Sequence, residues 1–237
     1  GDGTVGAAAH VLCGSDVTLG VLPTGTSNVW AQELGLPRIA FGPRGALVQA
    51  AMLQAHGDIM PMDLGRCGGR CFMLWAGLGL DAHIVQAVGH RIGLSKHFGR
   101  LDYILKGMWA ARHWKAHPMV VHCENETISG DMVSVIASNI RLFAGGLVTL
   151  DPGARADDGE LGLWCFEGRT FSDSLGHFLR MLQGRHADHP QARRVSGRRF
   201  VIQGTESIPS QVDGEVDGKS MCFEIEVLPG ALKVFVP

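Results

Sequence analysis

The sequence lacks several features that mark whole classes of protein. Its 237 residues contain no apolar run near the roughly eighteen residues that a membrane-spanning helix needs. Basic residues do not predominate, since 21 lysines and arginines stand against 23 aspartates and glutamates, for a formal net charge of −2. A general nucleic-acid binder is normally basic, so no nucleic-acid partner is expected. The opening residues are polar, unlike the basic and then apolar start of a signal peptide.

Cysteine is scarce and scattered. Of the six cysteines, Cys67 and Cys71 lie close in sequence, but there is no second pair, and the Gly-Gly between them suits a tight turn better than a zinc site. Such cysteines in a chain of this size are typical of a cytoplasmic protein with reduced thiols. The chain also lacks the G-x-x-x-x-G-K-[ST] motif, which excludes P-loop kinases. No Ser or Cys lies in a nucleophile elbow, which argues against a hydrolase that uses such a nucleophile.

What the sequence does contain is a hydrophobic content of 46%, enough for the core of an ordinary globular protein. Its first part alternates short strands and helices, which predicts a parallel α/β sheet. The pattern predicts a strand over 18–22 and helices over 5–13, 29–34 and 45–56. We expect Asn28, a good N-cap residue, to begin the second of these helices.

Around residues 58–62 the pattern changes to short strands, which predicts an antiparallel β-sandwich. A hairpin is expected to turn at Gly68-Gly69, with a helix over 80–88 after it. One further helix over 172–183 has Ser172 as its expected N-cap residue and Gly184 as its stop. Other strands are predicted over 119–124, 132–139, 161–166, 199–203, 210–216, 221–228 and 231–236.

Two segments rich in glycine and threonine carry the first chemical signal. GDGT occupies residues 1–4 and PTGTSN residues 23–28, and each is expected to form a tight turn at the end of a buried strand. Such turns expose backbone N–H groups, which bind anions and phosphate above all. A carboxylate beside a phosphate is repelled unless a cation lies between them, so Asp2 indicates Mg²⁺, although an ordinary Asx turn also explains it.

Carboxylates elsewhere suggest acid–base chemistry. In a strand, alternation would place Asp213, Glu215 and Asp217 on one face, either as a site or as an exposed polar hairpin with turn glycines. Asp81 begins a helix after a glycine-rich turn, where the helix dipole favours a carboxylate and where a plain cap is the alternative.

Two longer segments have both a functional and a structural interpretation. The loop ARADDGE (154–160) could hold a hard cation through Asp157, Asp158 and backbone carbonyls, or be a β-turn with solvated acids. The stretch 90–117 has apolar residues at helical spacing among basic ones. It could lie on an anionic membrane surface, or pack on the core with a basic outer face.

The order of these motifs resembles the diacylglycerol/sphingosine-type lipid kinases, particularly the soluble bacterial ones. The resemblance extends along nearly all of the chain. It is carried by GDGT (1–4), LGVLPTGTSN (19–28), MDLG (62–65), FMLWAGLGLDA (72–82), GGLVTLDPGARADDGELGLW (145–164), VDGE (212–215) and LPGALKVFVP (228–237). Two positions depart from the family pattern, which usually has Asn at Gly6 and an acidic residue at Val29.

The resemblance implies a fold of α/β plus β. A partial Rossmann-like nucleotide domain would cover 1–60 and an antiparallel β-sandwich lipid domain 61–228, with the last strand 229–237 joining the first domain as an open alternative. In the family, further β/α units precede GDGT, so the sequence resembles a chain that lacks the first part of that domain.

The resemblance also implies a function and a site. The expected activity is an ATP- and Mg²⁺-dependent lipid kinase that phosphorylates the hydroxyl of a diacylglycerol-like or sphingoid lipid. In the family, the Glu matching Glu215 is the proposed general base and the Asp matching Asp81 faces the substrate cleft. The implied nucleotide-binding residues are Gly1, Asp2, Gly3, Thr4, Gly25, Thr26 and Asn28. A structural Mg²⁺ would be held by Asp158 and by the backbone carbonyls of Arg155 and Glu160.

The expected location is the cytoplasm with peripheral contact with the membrane, and a homodimer is an open alternative. Two rival functions also remain open. An NAD kinase shares the GDG turn and a β-rich second half, although LPTGTSN and the order of later motifs disfavour it. The other rival is a truncated lipid-binding module without catalytic activity.

Overall fold

The computed structural model describes residues 1–37, 45–89, 107, 109, 111–124 and 126–237. Its helices are α1 (Asp2–Leu12), α2 (Val29–Glu33), α3 (Ala46–Ala55), α4 (Leu80–Gly89) and α5 (Phe171–Leu182). Its strands are β1 (Thr18–Leu19), β2 (Asp58–Cys67), β3 (Arg70–Phe72), β4 (Trp75–Gly79), β5 (His117–Cys123), β6 (Glu126–Ser138), β7 (Leu142–Phe143), β8 (Val148–Thr149), β9 (Leu161–Glu167), β10 (Ala192–Gly197), β11 (Arg199–Val212) and β12 (Glu215–Val236).

Most of the described strands form one large sheet in the order β10-β9-β6-β4-β11-β12-β2-β3. Strands β4 and β5 both pair with β6 and β11. They therefore occupy one position in the sheet, end to end. The pairings are antiparallel except for β1, which runs parallel to the end of β12. The molecule is therefore mixed α/β with a dominant antiparallel sheet, as the coarse pattern of the sequence predicts.

Each face of this sheet carries its own hydrophobic core, because successive side chains of a strand point to opposite faces. In β9, Leu161, Leu163 and Cys165 belong to one core, whereas Trp164 and Phe166 belong to the other. The second core also contains buried residues of α1, α2 and the end of β12. The glycine-rich N-terminal segments are therefore packed directly on the large sheet.

Strand β12 connects the two ends of the chain. Its first part pairs with β11 and its last part with β2, with a bulge between Leu228 and Leu232. Beyond the bulge, Lys233 and Val234 pair with Thr18 and Leu19 of β1. The last strand thus lies beside the segment that leads into PTGTSN.

The structure confirms the helices expected over 45–56 and 80–88 and the hairpin at Gly68-Gly69, and it corrects two other predictions. GDGT is not a turn before a helix: it forms the first turn of α1, with Gly1 as the N-cap residue. The N-cap residue of α5 is Thr170 rather than Ser172, because Thr170 and Asp173 form a reciprocal capping box. Strand β10, which pairs with β9, is an element that the sequence pattern did not indicate.

The basic and aromatic stretch 90–117 lies mostly outside the described residues. Of the described part, Trp109 has 59% of its surface exposed, whereas Trp114 turns inward and donates its indole N–H to the carbonyl of Val133 at 3.2 Å. In the portion of the chain that the structure describes, no helix combines the length and the apolar character needed to cross a membrane.

Candidate active site

The two glycine- and threonine-rich segments lie against each other. A Cβ added at Gly25 would be 2.5 Å from Cα of Gly1, so only glycine allows this approach of the two backbones. Asp2 joins the segments, because its Oδ1 accepts the N–H of Val29 at 2.6 Å. Burial raises the pKa of Asp2, while this hydrogen bond acts in the opposite direction. One carboxylate oxygen of Asp2 therefore has a structural role.

Asn28 precedes α2 as expected, but its side chain does not cap the helix. Its Oδ1 accepts the N–H of Gly25 at 2.9 Å and its Nδ2 donates to the carbonyl of Gly25 at 2.5 Å. The residue has φ of 51°, a left-handed conformation that asparagine tolerates better than most residues. Asn28 thus stabilises the TGTSN turn. Asp2, rather than Asn28, accepts the N–H of Val29, the first residue of α2.

Asp213, Glu215 and Asp217 do not share one strand face, so that prediction was wrong. Asp213 and Gly214 are the two loop residues of the β11–β12 hairpin, with φ of 49° and 82°, and Val212 pairs with Glu215 across it. Asp-Gly is the sequence preferred for such a turn, because both positions need positive φ. The alternative interpretation, a hairpin with turn glycines, describes the backbone correctly.

Asp213 is buried rather than solvated, with 6% of its surface exposed. Its carboxylate accepts the backbone N–H groups of Met73, Leu74 and Trp75 at 2.9, 2.8 and 3.1 Å. Burial raises the pKa of Asp213 to about 6, although the three hydrogen bonds oppose this shift. Asp213 therefore fixes the hairpin turn to the segment that leads into β4.

Glu215, the next residue but one, is exposed and faces the first turn of α1. A Cβ added at Gly3 would lie 2.9 Å from Oε1 of Glu215. One turn further along the helix, a Cβ added at Gly6 would lie 3.1 Å from Oδ2 of Asp213. The hairpin turn thus packs on a glycine surface of α1, and the carboxylate of Glu215 lies beside the helix N-terminus.

A hydrogen-bonded bridge leads from this turn to Asp81. Fully buried Gln211 accepts the N–H of Gly214 at 2.7 Å and donates its Nε2 to Oδ2 of Asp81 at 2.5 Å. A Cβ added at Gly77 would lie 1.8 Å from the same Oδ2, so glycine is required beneath the bridge. Burial raises the pKa of Asp81 to about 6, against the effect of the bond from Gln211.

Asp81 also lines an apolar cavity of about 130 Å³. The wall is formed by residues of α4, β6, β9 and α5 and by the segment 143–147, with Ser134, Ser174 and His177 as the other polar side chains among the described lining residues. Phe143 in this wall packs edge-on against Trp75, with ring centroids 5.1 Å apart. At this volume the cavity has room for a short apolar segment, about the size of a benzene ring, with a polar end near Asp81.

The helix after TGTSN contacts the same wall. Glu33 accepts from Nε of Arg141 at 2.5 Å and from the N–H of Leu142 at 3.2 Å. Gln32 donates to the carbonyls of Ser27 and Gly145, the latter at 3.3 Å. Helix α2, which follows the second glycine- and threonine-rich turn, therefore contacts the segment that forms part of the cavity wall.

The three residues expected to hold a metal line one small cavity of about 20 Å³ in the loop after β8. Oδ1 of Asp158 accepts the N–H of Glu160 at 3.1 Å, while Arg155 pairs with Asp157 at 3.2 Å. A site for one water-sized species needs roughly 10–15 Å³. One carboxylate and two backbone carbonyls are oxygen donors of the kind that Mg²⁺ prefers. Arg194 also lines this cavity, and its charge is balanced by Asp151, so the donor types are compatible with such an ion.

Other buried polar residues, which the sequence interpretation missed, hold this loop in place. Asp63 of MDLG accepts the N–H groups of Gly159 at 2.6 Å and Gly230 at 2.7 Å. Asp151 is paired with Arg194 at 2.9 Å. Asp63 stands between the apolar residues Met62 and Leu64 of β2. That local pattern was a signal of such an anchor, because a buried carboxylate requires hydrogen-bond partners.

Comparisons with known proteins agree with this architecture. Residues 1–67 match the model of the diacylglycerol kinase catalytic domain, and residues 76–236 match that of the YegS C-terminal NAD kinase beta sandwich-like domain. The chain is 30% identical over 243 residues to lipid kinase YegS of Escherichia coli (strain K12), covering 100% of this chain and 76% of that protein.

Two further similarities extend this result. Diacylglycerol kinase of Bacillus subtilis (strain 168) is 26% identical over 220 residues, covering 92% of this chain and 70% of its own. A crystal structure of a diacylglycerol kinase from Bacillus anthracis str. Sterne has a TM-score of 0.69 at 19% identity, covering 100% of this chain and 74% of that one. The structural similarity supports the fold.

Proposed function

The chain belongs to the bacterial lipid kinase family that carries the diacylglycerol kinase catalytic domain, and from this premise we propose that it transfers a phosphoryl group from ATP to the hydroxyl of a diacylglycerol-like or sphingoid lipid. The chain is a kinase, as its relatives are. One observation supports the lipid acceptor most strongly: the bridge from Asp81 through Gln211 to Gly214 joins the apolar cavity to the turn that presents Glu215.

We assign the ATP phosphates to the first turn of α1 and to the TGTSN turn. The first N–H groups of a helix have no partner within the helix and carry the positive end of its dipole, which favours an anion there. The contributing residues would be Gly1, Asp2, Gly3, Thr4, Gly25, Thr26 and Asn28. Asp2, whose Oδ1 accepts the N–H of Val29, is assigned to the Mg²⁺ that would accompany the nucleotide.

Glu215 is assigned as the general base. Its carboxylate is exposed beside the α1 N-terminus, so it can accept the proton of a lipid hydroxyl as that oxygen attacks the terminal phosphorus of ATP. Asp81 would orient the polar end of the lipid at the cavity, while the apolar wall receives its hydrocarbon. Phosphoryl transfer depends chiefly on such positioning, because the protein forms no covalent intermediate in this scheme.

The finer organisation is part of the same proposal. The nucleotide would bind a partial Rossmann-like domain of residues 1–60, joined by the last strand 229–237, and the lipid a β-sandwich domain of residues 61–228. Pairing of β12 with β1 supports the assignment of the last strand. We place the protein in the cytoplasm, in peripheral contact with the membrane that supplies its lipid, as a monomer or a homodimer. Exposed Trp109, with the Arg112 guanidinium 5.3 Å from its ring centroid, supports this membrane contact.

A structural Mg²⁺ would be held by the side chain of Asp158 and the carbonyls of Arg155 and Glu160. When bound, it would cross-link the loop electrostatically rather than take part in phosphoryl transfer. The chain's own contribution is the anchoring of this loop by Asp63, which fixes Gly159 between the two donors Asp158 and Glu160.

Asp158→Ala is expected to abolish stabilisation by Mg²⁺. In the wild type, millimolar Mg²⁺ should raise the melting temperature by about 5 °C, because an ion that binds the folded state alone stabilises it by mass action. Asp157→Ala is the matched control, since Asp157 pairs with Arg155 and is not assigned as a ligand. Differential scanning calorimetry with Mg²⁺ and with a chelator measures the effect, and an equal shift in both variants would reject the assignment.

Asp81→Asn is expected to change the pH dependence of stability. Burial raises the pKa of Asp81 from 3.8 to about 6, so the folded protein holds this proton more tightly than the unfolded chain. The contribution of Asp81 to stability is therefore complete at pH below 3.8 and is lost as pH rises through about 6. Asp81→Asn can still accept the hydrogen bond from Gln211. Its melting temperature should rise relative to that of the wild type as the pH increases from 3.8 to about 6. The variant should also lose lipid turnover. A pH-independent difference would contradict the assignment.

The test of the proposed function is turnover. The chain is assayed with ATP and Mg²⁺ against diacylglycerol, sphingosine and NAD in separate reactions. We expect phosphorylation of a lipid and none of NAD. Turnover of NAD alone would favour the NAD kinase alternative, and ATP and lipid binding without transfer would favour a binding module.

A further inference from the structure

Two thiols that are distant in sequence meet where α1 ends. Cys13, the C-cap residue of α1, and Cys71 in β3 have their sulfur atoms 3.5 Å apart. Both residues are partly exposed and pack on the edge of the second core. A disulfide needs the sulfurs at about 2.05 Å, so a small side-chain rotation would bring them within bonding distance.

The backbone around the pair is held on both sides. The N–H of Cys71 donates to Nδ1 of His10 at 3.2 Å, and the N–H of Gly14 donates to the carbonyl of Ala231 at 2.7 Å. These bonds keep the end of α1 beside β3, so the sulfurs are neighbours in the reduced protein. Partial exposure gives a small oxidant access to them.

A positive charge lies beside both thiols. Arg66, which forms an ion pair with Glu226, lies close enough to interact with the charge of both Cys13 and Cys71. A guanidinium favours the reactive thiolate form. Burial and the hydrogen bond with the Cys13 thiol raise the pKa of Cys71 to about 11, against the effect of Arg66, so little Cys71 thiolate is present at neutral pH to attack a peroxide first.

We propose that Cys13 and Cys71 form a reversible disulfide that links the end of α1 to β3 when the protein meets a hydroperoxide. The thiolate of Cys13 attacks the peroxide, forming a sulfenic acid and releasing an alcohol or water. The sulfur of Cys71 then attacks the sulfenic sulfur, forming the S–S bond and releasing water. The two thiols together lose two electrons and two protons to one peroxide, and a dithiol reductant reverses the change.

The bond would connect the helix that carries GDGT to the β2–β3 hairpin. It closes a long loop of the chain, from residue 13 to residue 71, and so restricts the unfolded state. We expect the oxidised protein to melt about 5–10 °C above the reduced protein. This inference does not depend on the identity of the kinase substrate.

Peptide mapping without reduction tests the proposal on the whole chain. The protein is treated with a small excess of hydrogen peroxide and digested with trypsin, which cleaves after Arg66 and Arg70 and so separates Cys67 from Cys71. The expected product is a linked peptide pair containing Cys13 and Cys71 that dithiothreitol separates. Recovery of both as thiols, or of Cys13 as an unlinked sulfinic acid, would overturn the proposal.

Variants provide a second, independent readout. Cys13→Ser and Cys71→Ser should each lose the rise in melting temperature on oxidation, whereas Cys222→Ser, which removes an exposed cysteine elsewhere, should keep it. An equal rise in Cys13→Ser would overturn the proposal. If a serine variant does not fold, the peptide map of the wild type still decides the question.

Discussion

Replacing Glu215 by glutamine should lower kcat for lipid phosphorylation by about 10²- to 10⁴-fold, the usual contribution of a general base. Glutamine has the same shape but cannot accept the hydroxyl proton at neutral pH. Because the side chain is exposed beside Gly3, the change should leave the fold and the melting temperature unaltered. Steady-state kinetics with a saturating lipid acceptor measure the effect.

The matched control for this variant is Glu224→Gln. Glu224 lies on the same strand, β12, and pairs on the surface with Arg199 at 2.7 Å. Its replacement should leave kcat within about two-fold of the wild type, because an exposed ion pair contributes little. If Glu215→Gln keeps wild-type kcat, the base lies elsewhere and the assignment is wrong.

Asp213→Ala should cause the largest loss of stability in the site, about 3 kcal/mol or roughly 10 °C in melting temperature. The substitution leaves three buried N–H groups, those of Met73, Leu74 and Trp75, without their acceptor. It also removes the favourable residue from a turn position with φ of 49°. Thermal and denaturant unfolding measure the loss.

Asp217→Ala serves as the control in the same hairpin. Asp217 pairs at 3.5 Å with Arg70 across the surface, and its loss should cost no more than about 1 kcal/mol. Similar losses in the two variants would mean that the buried hydrogen bonds of Asp213 do not fix the turn. Catalysis should also fall in Asp213→Ala, because the turn that presents Glu215 would no longer be held.

The sequence could predict those parts of the molecule whose signals are local. Glycine and threonine at residues 1–4 and 23–28 marked two segments that the structure brings into contact, and their meeting depends on Gly25 lacking a side chain. The change from mixed elements to strands near residue 60 indicated the mixed α/β content correctly. The shared strand face predicted from period-two alternation was wrong at Asp213, because an Asp-Gly turn rather than a continuous strand occupies that position.

Other features of the site could not be predicted from sequence, because they depend on contacts between residues that are far apart in the chain. Gln211 meets Asp81 at a separation of 130 residues, and no local pattern shows that an amide will bridge two acidic segments. The apolar cavity is built from residues of α4, α5 and β6 that resemble ordinary core residues in sequence. The sulfur pair of Cys13 and Cys71 depends likewise on the packing of α1 against β3.

Lipid kinase activity and the role of Glu215 are tested together by a competition assay in which diacylglycerol, sphingosine and NAD are present with ATP and Mg²⁺, with the products identified by mass spectrometry. We expect one phosphorylated lipid from the wild type, and a loss of that product with Glu215→Gln. Phosphorylated NAD, or a phosphorylated lipid formed equally well by the variant, would contradict this expectation.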